Sequence, residues 1–316
     1  MKTIKFFKTL KSKFKVIPML MIALAIGFTS CNNDDEDMVD QPSNTIADIA
    51  VSNPSFSILV DALSKAGLVD AVADKSAELT VFAPTNDAFA ALLNDLGLNS
   101  LDDVPVETLK NILLYHVVSG KAISTNLSNG YISTLATSNG NSLSMYVNVD
   151  NGVSLNMNAK VTTADIGADN GVIHVVDKVI LPPNVVNIAI DNTNFSILVS
   201  AVAKAGLVDA LSADGPFTIF APTNAAFEDL FSVLGIAGID DLTAEQLTPI
   251  LTYHVVLGNV LSSDLKSGNV GTLNSSSSLA VDVSSGVKIN NSNVIAADIQ
   301  GTNGVVHVID KVLIPE

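Results

Sequence analysis

Apolar residues recur along this chain in two different rhythms. After Asn53-Pro54, the positions Phe56, Leu59, Val60, Leu63 and Ala66 follow i, i+3, i+4, i+7, which predicts an amphipathic helix that Gly67 stops at its C′ position. Leu109, Ile112, Leu113 and His116 share one helical face, as do Leu247, Ile250, Leu251 and His254. Thr85 and Thr223, each just past a proline, suit the N-caps of helices carrying Phe89 and Phe227. The rhythm then changes. Leu143, Met145, Val147 and Val149 alternate, Asp150-Asn151-Gly152 turns, and Val153, Leu155 and Met157 alternate again, which predicts a hairpin. Val281 and Val283, the turn Ser284–Gly286, and Val287 and Ile289 repeat it. Helices first and strands later argue for an α+β fold. Pro249 falls inside the helix of Leu247 to His254, where the helix of Leu109 to His116 has Asn111, which predicts a kink or a late helix start.

These elements occur twice. Phe56–Val72 and Phe195–Leu211 are identical at 13 of 17 positions, at an offset of 139. Phe82-Ala-Pro-Thr-Asn86 recurs as Phe220–Asn224, and Tyr115-His-Val-Val as Tyr253–Val256, both at an offset of 138. Asn170–Pro182 and Asn303–Pro315 agree at nine of thirteen positions, at an offset of 133. A period of that size is a domain, not a solenoid repeat. The predicted organisation is therefore a first domain at 44–182 and a second at 183–316, joined at Pro182-Pro183-Asn184.

The blocks Phe82–Phe89 and Phe220–Phe227, followed by Tyr-His-Val-Val and then the Asn-Gly-Val…His-Val…Asp-Lys-Val run, resemble the fasciclin domain, over nearly all of 44–316. The resemblance implies two tandem fasciclin-like domains, each a β-sandwich wedge with a cluster of helices. It further implies secreted or surface-anchored proteins that act in adhesion and matrix contact, not catalysis. Asp165-Ile166 and Asp298-Ile299 match the Asp-Ile pair that animal members of the family present to receptors, though the flanking Ala164, Gly167, Ala297 and Gln300 differ from that motif. The alternative is that the isoleucines pack and the aspartates cap a turn. The pairs Tyr115-His116 and Tyr253-His254 are likewise linked to adhesion in the family, against the reading that each histidine is a core imidazole bonded to backbone.

The N-terminus reads as an address. Lys2, Lys5, Lys8, Lys11, Lys13 and Lys15 precede a 13-residue apolar run, Val16–Phe28, then Thr29-Ser30 and Cys31. The run is short of the roughly 20 residues that span a bilayer, so 1–30 is expected to be an export signal. Its ending resembles a bacterial lipobox, which implies lipidation of Cys31 and attachment to a membrane; an ordinary cleaved signal with a chance cysteine is the alternative. Residues 31–43 form an acidic tether, either a solvated spacer or a surface-export signal, and the expected location is the outer membrane or cell surface.

Composition narrows the chemistry. The chain has 16 basic residues, all lysine, against 32 acidic ones, for a net charge of -16. Without the bidentate guanidinium fork and with acid in twofold excess, nucleic acid is not an expected partner. One cysteine excludes a disulfide framework or thiolate zinc cluster. No Gly-x-Ser-x-Gly elbow or phosphate loop is present. His174 and Asp177, like His307 and Asp310, are three apart on expected strands and face opposite sides, so neither pair chelates a metal. No cofactor is expected. The leading functional reading is a non-enzymatic surface lipoprotein in adhesion or matrix and envelope contact, binding a protein or glycan, with self-association an option. A glycan-binding accessory lipoprotein is the alternative, weakened by the absence of tryptophan; a hydrolase built on a folded carboxylate pair is the third.

Overall fold

The computed structural model describes residues 44–315. The expected signal at 1–30, the tether and the lipidation of Cys31 lie outside the described residues.

The first copy opens with three short helices, α1 (Ile46–Ser52), α2 (Ser57–Lys65) and α3 (Val69–Ala73). Gly67, at φ 65°, ends α2 in a Schellman arrangement: its N–H donates to Ser64 O while Leu68 N–H donates to Leu63 O. Strand β1 (Leu79–Pro84) leads into α4 (Asn86–Asp95), which Thr85 caps by accepting from Ala88 N–H. Then come α5 (Val106–Tyr115), β2 (Val117–Ser119), β3 (Gly130–Ser138), β4 (Asn141–Asn148), β5 (Ser154–Leu155), β6 (Ala159–Ala168) and β7 (Gly171–Val176). The second copy repeats the order as α6 (Val185–Ile190), α7 (Ser196–Lys204), α8 (Val208–Ser212), β8 (Phe217–Pro222), α9 (Asn224–Leu234), α10 (Ala244–Tyr253), β9 (Val255–Leu257), β10 (Gly268–Gly271), β11 (Ser278–Asp282), β12 (Lys288–Ile289), β13 (Ser292–Gly301) and β14 (Gly304–Ile309).

Each copy has one seven-stranded sheet, ordered β2-β1-β7-β6-β5-β4-β3 and β10-β11-β12-β13-β14-β8-β9. Pairing is antiparallel except where the early strand meets the last one, β1 with β7 and β8 with β14. In the first copy β2 and β3, at opposite ends of the order, nevertheless pack together, so the sheet folds back on itself. Each copy therefore has two cores. One lies under the helices, around Phe56, Phe89 and Leu109 or Phe195, Phe227 and Leu247; the other lies inside the folded sheet, around Phe82, Tyr115 and Met145 or Phe220, Tyr253 and Ile289. This is the expected α+β sandwich wedge with its cluster of helices.

Two local expectations need correction. The hairpin's second arm is only β5, because Asn156 and Met157 both take positive φ (47° and 51°) and the Asn156 side chain, not the next strand residue, accepts the Tyr146 N–H. Met157 thus leaves the alternation and is exposed. Of the two outcomes expected at Pro249, the late start does not occur: α10 begins at Ala244 under a Thr243–Gln246 capping box, and runs through the proline. Thr248 and Thr252 donate their hydroxyls to the carbonyls of Ala244 and Thr248 beside it.

The copies touch through uncharged groups. Gln300 N–H donates to Ser144 Oγ (3.0 Å), and Ser138 Oγ to Thr302 O (2.7 Å). Tyr131, on β3, packs on the second copy's helix-side core, where its hydroxyl accepts from Asn192 Nδ2 at 3.2 Å. Between the copies lies a cleft of about 540 Å³ whose lining includes Asp95, Lys178 and Asp191.

Candidate functional site

Most of the repeated polar residues face inward as fasteners. Asn86 accepts the Ile58 N–H and donates to Pro54 O and Ser57 Oγ, tying α4 to α2; Asn224 makes the same set with Ile197, Thr193 and Ser196. Asn170 joins α1 to the end of α3 by accepting from Ile46 N–H and donating to the carbonyls of Val72 and Asp74, and Asn303 does so with Val185, Leu211 and Ala213.

The Tyr-His pairs belong to this interior. Tyr115 is fully buried; its hydroxyl donates to Ser144 O (2.8 Å) and accepts from Asn156 Nδ2 (3.0 Å). Tyr253 bonds likewise to Ser278 O and Asn290. His116 closes α5. Its Nε2 accepts the Ile180 N–H at 2.9 Å, which leaves the proton on Nδ1, and Nδ1 donates to Ile112 O at 2.7 Å. His254 repeats the geometry with Leu313 and Ile250. Burial holds both imidazoles down to about 4, so they are neutral at physiological pH. Every polar side-chain atom of these four residues is engaged within the protein, which suits positioning and leaves none of them a free polar atom for a ligand.

The Asp-Ile pairs sit elsewhere, at a β-bulge. Thr163 pairs with Val175 and Ile166 with Ile173, so Ala164 and Asp165 together oppose the single residue His174. Asp165 accordingly takes φ 63°, and its N–H donates to His174 Nδ1 at 3.2 Å. His174 then carries its proton on Nε2, which donates to Ala122 O, and its ring stacks on Phe82 with centroids 5.5 Å apart. In the second copy Ala297 and Asp298 oppose His307, Asp298 has φ 62°, and His307 stacks on Phe220. The result is a relay from the buried Phe82 through His174 to an aspartate on the surface.

At the surface the two members of each pair part. Ile166 is half-buried against the helix-side core, and Ile299 is only 2% exposed. The aspartate side chains remain 39% and 40% exposed. Asp165 accepts from both the N–H and the hydroxyl of Ser124, and these bonds hold its carboxyl below the usual aspartate range. Ser262 bonds to Asp298 in the same way. The isoleucine packs, as one sequence reading expects, and the aspartate anchors the turn beginning at Ser124 while keeping an outward edge. The serines and the histidine-to-bulge link are invisible to motif reading, yet one signal was present: aspartate and histidine are nine residues apart in both copies. The Asp177 carboxylate, by contrast, accepts the Lys160 N–H and does not meet His174.

Comparison with known proteins sets this geometry in context. The Fasciclin domain family model matches residues 54–182 and 193–315. Protein sll1483 of Synechocystis sp. is 45% identical over 136 residues, covering 42% of this chain and 73% of that protein. Transforming growth factor-beta-induced protein ig-h3 of Oryctolagus cuniculus is 32% identical over 246 residues, 75% of this chain but only 35% of that longer protein. A solved FAS1 domain pair from the insect cell adhesion molecule fasciclin I covers 85% of this chain and 96% of its own, with a TM-score of 0.49 and 20% identity. Matched in both halves across most of its length, the chain belongs to the fasciclin-domain family.

Proposed function

We propose that this protein is a non-enzymatic cell-surface lipoprotein. Its two fasciclin domains, at 44–182 and 183–316, mediate adhesion or contact with matrix or envelope components. Cys31 attaches it to the outer membrane through lipid, and the acidic tether 31–43 spaces the domains from the bilayer. Asp165 and Asp298 are the contact residues, while Tyr115, His116, Tyr253 and His254 hold the cores that position them. One observation carries this reading: the polar motif residues are spent on internal bonds, while the same aspartate reaches the surface at the same bulge in both copies. Family membership supports it, since fasciclin domains occur in cell-adhesion and surface proteins. Two equivalent aspartates on one chain add avidity wherever a partner offers repeated sites.

The test is attachment by cells expressing the full-length protein, compared with cells lacking it and with cells carrying Asp165→Ala together with Asp298→Ala. The expected result is loss of surface attachment on deletion and a tenfold or greater loss in the double variant, at equal surface display. Unchanged attachment in the deletion strain sinks the proposal. Binding confined to a glycan array, and untouched by the double variant, replaces it with a polysaccharide-holding role.

A further inference from the structure

We propose that the second copy holds the hydrocarbon part of a small apolar molecule in a cavity between its first three helices and its sheet. The cavity has a volume of about 240 Å³ and is roofed by α6, α7 and α8 over Ile219 and Val306. Its lining side chains are aliphatic apart from Phe220 and His254. His254 spends one ring nitrogen on Ile250 O and the other on Leu313 N–H, so no side chain inside offers a free polar atom. A water molecule needs two to four polar partners, and an apolar cavity of ~150 Å³ stays dry and admits benzene. Scaled from that case, this space takes about eight to ten carbons. Ile190 and Val208, 53% and 37% exposed, line the cavity and give it an apolar rim open to solvent.

Duplication supplies an internal control. The equivalent space in the first copy is about 20 Å³, too small for any such guest. Ile46, Leu63 and Ile173 line that space where the second copy has Val185, Val202 and Val306, each one methylene shorter. Val72 and Val81 become Leu211 and Ile219, which returns two of the three. Ala47 and Val51 likewise become Val186 and Ile190, so the second copy's lining gains side-chain carbons overall and smaller residues do not make its greater volume. Most of the room therefore comes from the stand-off between helices and sheet in the second copy. An empty space of this kind forfeits dispersion contacts that a hydrocarbon restores.

The purified full chain is titrated with n-butylbenzene and with 1-octanol, following melting temperature and nuclear Overhauser contacts from probe to protein methyl groups. The expected result is a rise in melting temperature of several degrees, with contacts to Val185, Val202 and Val306 and none to Ile46, Leu63 or Ile173. In a variant carrying Ala189→Leu and Val202→Leu the rise disappears, while the melting temperature without probe stays level or increases. No rise and no contacts up to the solubility limit of both probes overturns the proposal, as does equal binding by the filled variant. Contacts confined to first-copy methyls also overturn it. Should the filled variant fail to fold, the contact map of the unaltered protein decides alone.

Discussion

At the scale of single residues, the same burial acts in opposite directions on two kinds of acid. An unfolded histidine titrates near 6.5, whereas His116 and His254 are held down to about 4 by desolvation. Between those values the unfolded chain binds protons that the native one refuses, so stability falls as pH falls, by on the order of 3 kcal/mol per histidine once the loss is complete. Asp191 ends α6 in the cleft between copies, with Asp95 and Lys178 along the same cleft and the Tyr115 and Tyr131 hydroxyls within reach of its charge. Desolvation raises its carboxyl from 3.8 to about 7. Here the native state keeps a proton that the unfolded chain has lost, so stability falls as pH rises from about 4 through 7. Because solvent still reaches the group, this limb is on the order of 1–2 kcal/mol. From pH 4 to 6.5 the two histidines outweigh the one carboxyl, so melting temperature should rise with pH across that range and level off near pH 7. Asp191→Asn should remove the carboxyl's opposing limb alone, with its advantage over the unaltered protein growing from pH 5 to pH 7. A constant difference across that range would place the destabilisation somewhere other than the carboxyl charge.

At the scale of elements, the decisive constraint is how closely strands approach at the start of each parallel pair. Gly171 opens β7 at φ 153°, and a Cβ there would collide with Leu79 O, as a Cβ on Gly304 would with Phe217 O. The contact is backbone to backbone, so no side chain can move aside. Gly171→Ala should cost about 3 kcal/mol or more, while Gly140→Ala, in the open turn between β3 and β4, should cost only the strain of its positive φ. Urea midpoints of the two variants check this, and equal losses would contradict it. Such constraints also decide what was legible in the sequence. The helices around Phe56 and Leu109 were legible because a buried stripe writes its period directly into the residues. Strand β6 was not, since Thr162 to Asp165 lie exposed and the bulge breaks any alternation. The Asp-Ile pair was visible as a motif, but its partners were not. Ser124 arrives 41 residues earlier and His174 across a strand, and only the folded register brings them together.

At the scale of the whole molecule, two acidic domains are joined without the help of charge. The first copy carries 14 acids and 6 lysines and the second 13 acids and 4 lysines, so like charge opposes their contact. Among the described residues no ion pair joins them: Lys65–Asp102 and Lys204–Asp240 each stay within one copy. What holds the contact is the Ser144–Gln300 bond, the Ser138–Thr302 bond and Tyr131 packed on the second copy's core. Tyr131 is the largest side chain in that contact, so the coupling of the two copies in unfolding is expected to depend on it. Replacing it with alanine removes a large half-buried aromatic and leaves the Asn192 amide without that partner, a loss of about 2–3 kcal/mol concentrated at the interface. Calorimetry should show one unfolding transition for the unaltered chain and two for Tyr131→Ala. Salt distinguishes this coupling from an electrostatic one. Raising ionic strength screens the repulsion between copies and leaves packing intact, so 0.5 M sodium chloride should draw the two transitions of Tyr131→Ala closer together. If salt instead drives them apart, attraction between charges holds the copies and the packing of Tyr131 is incidental.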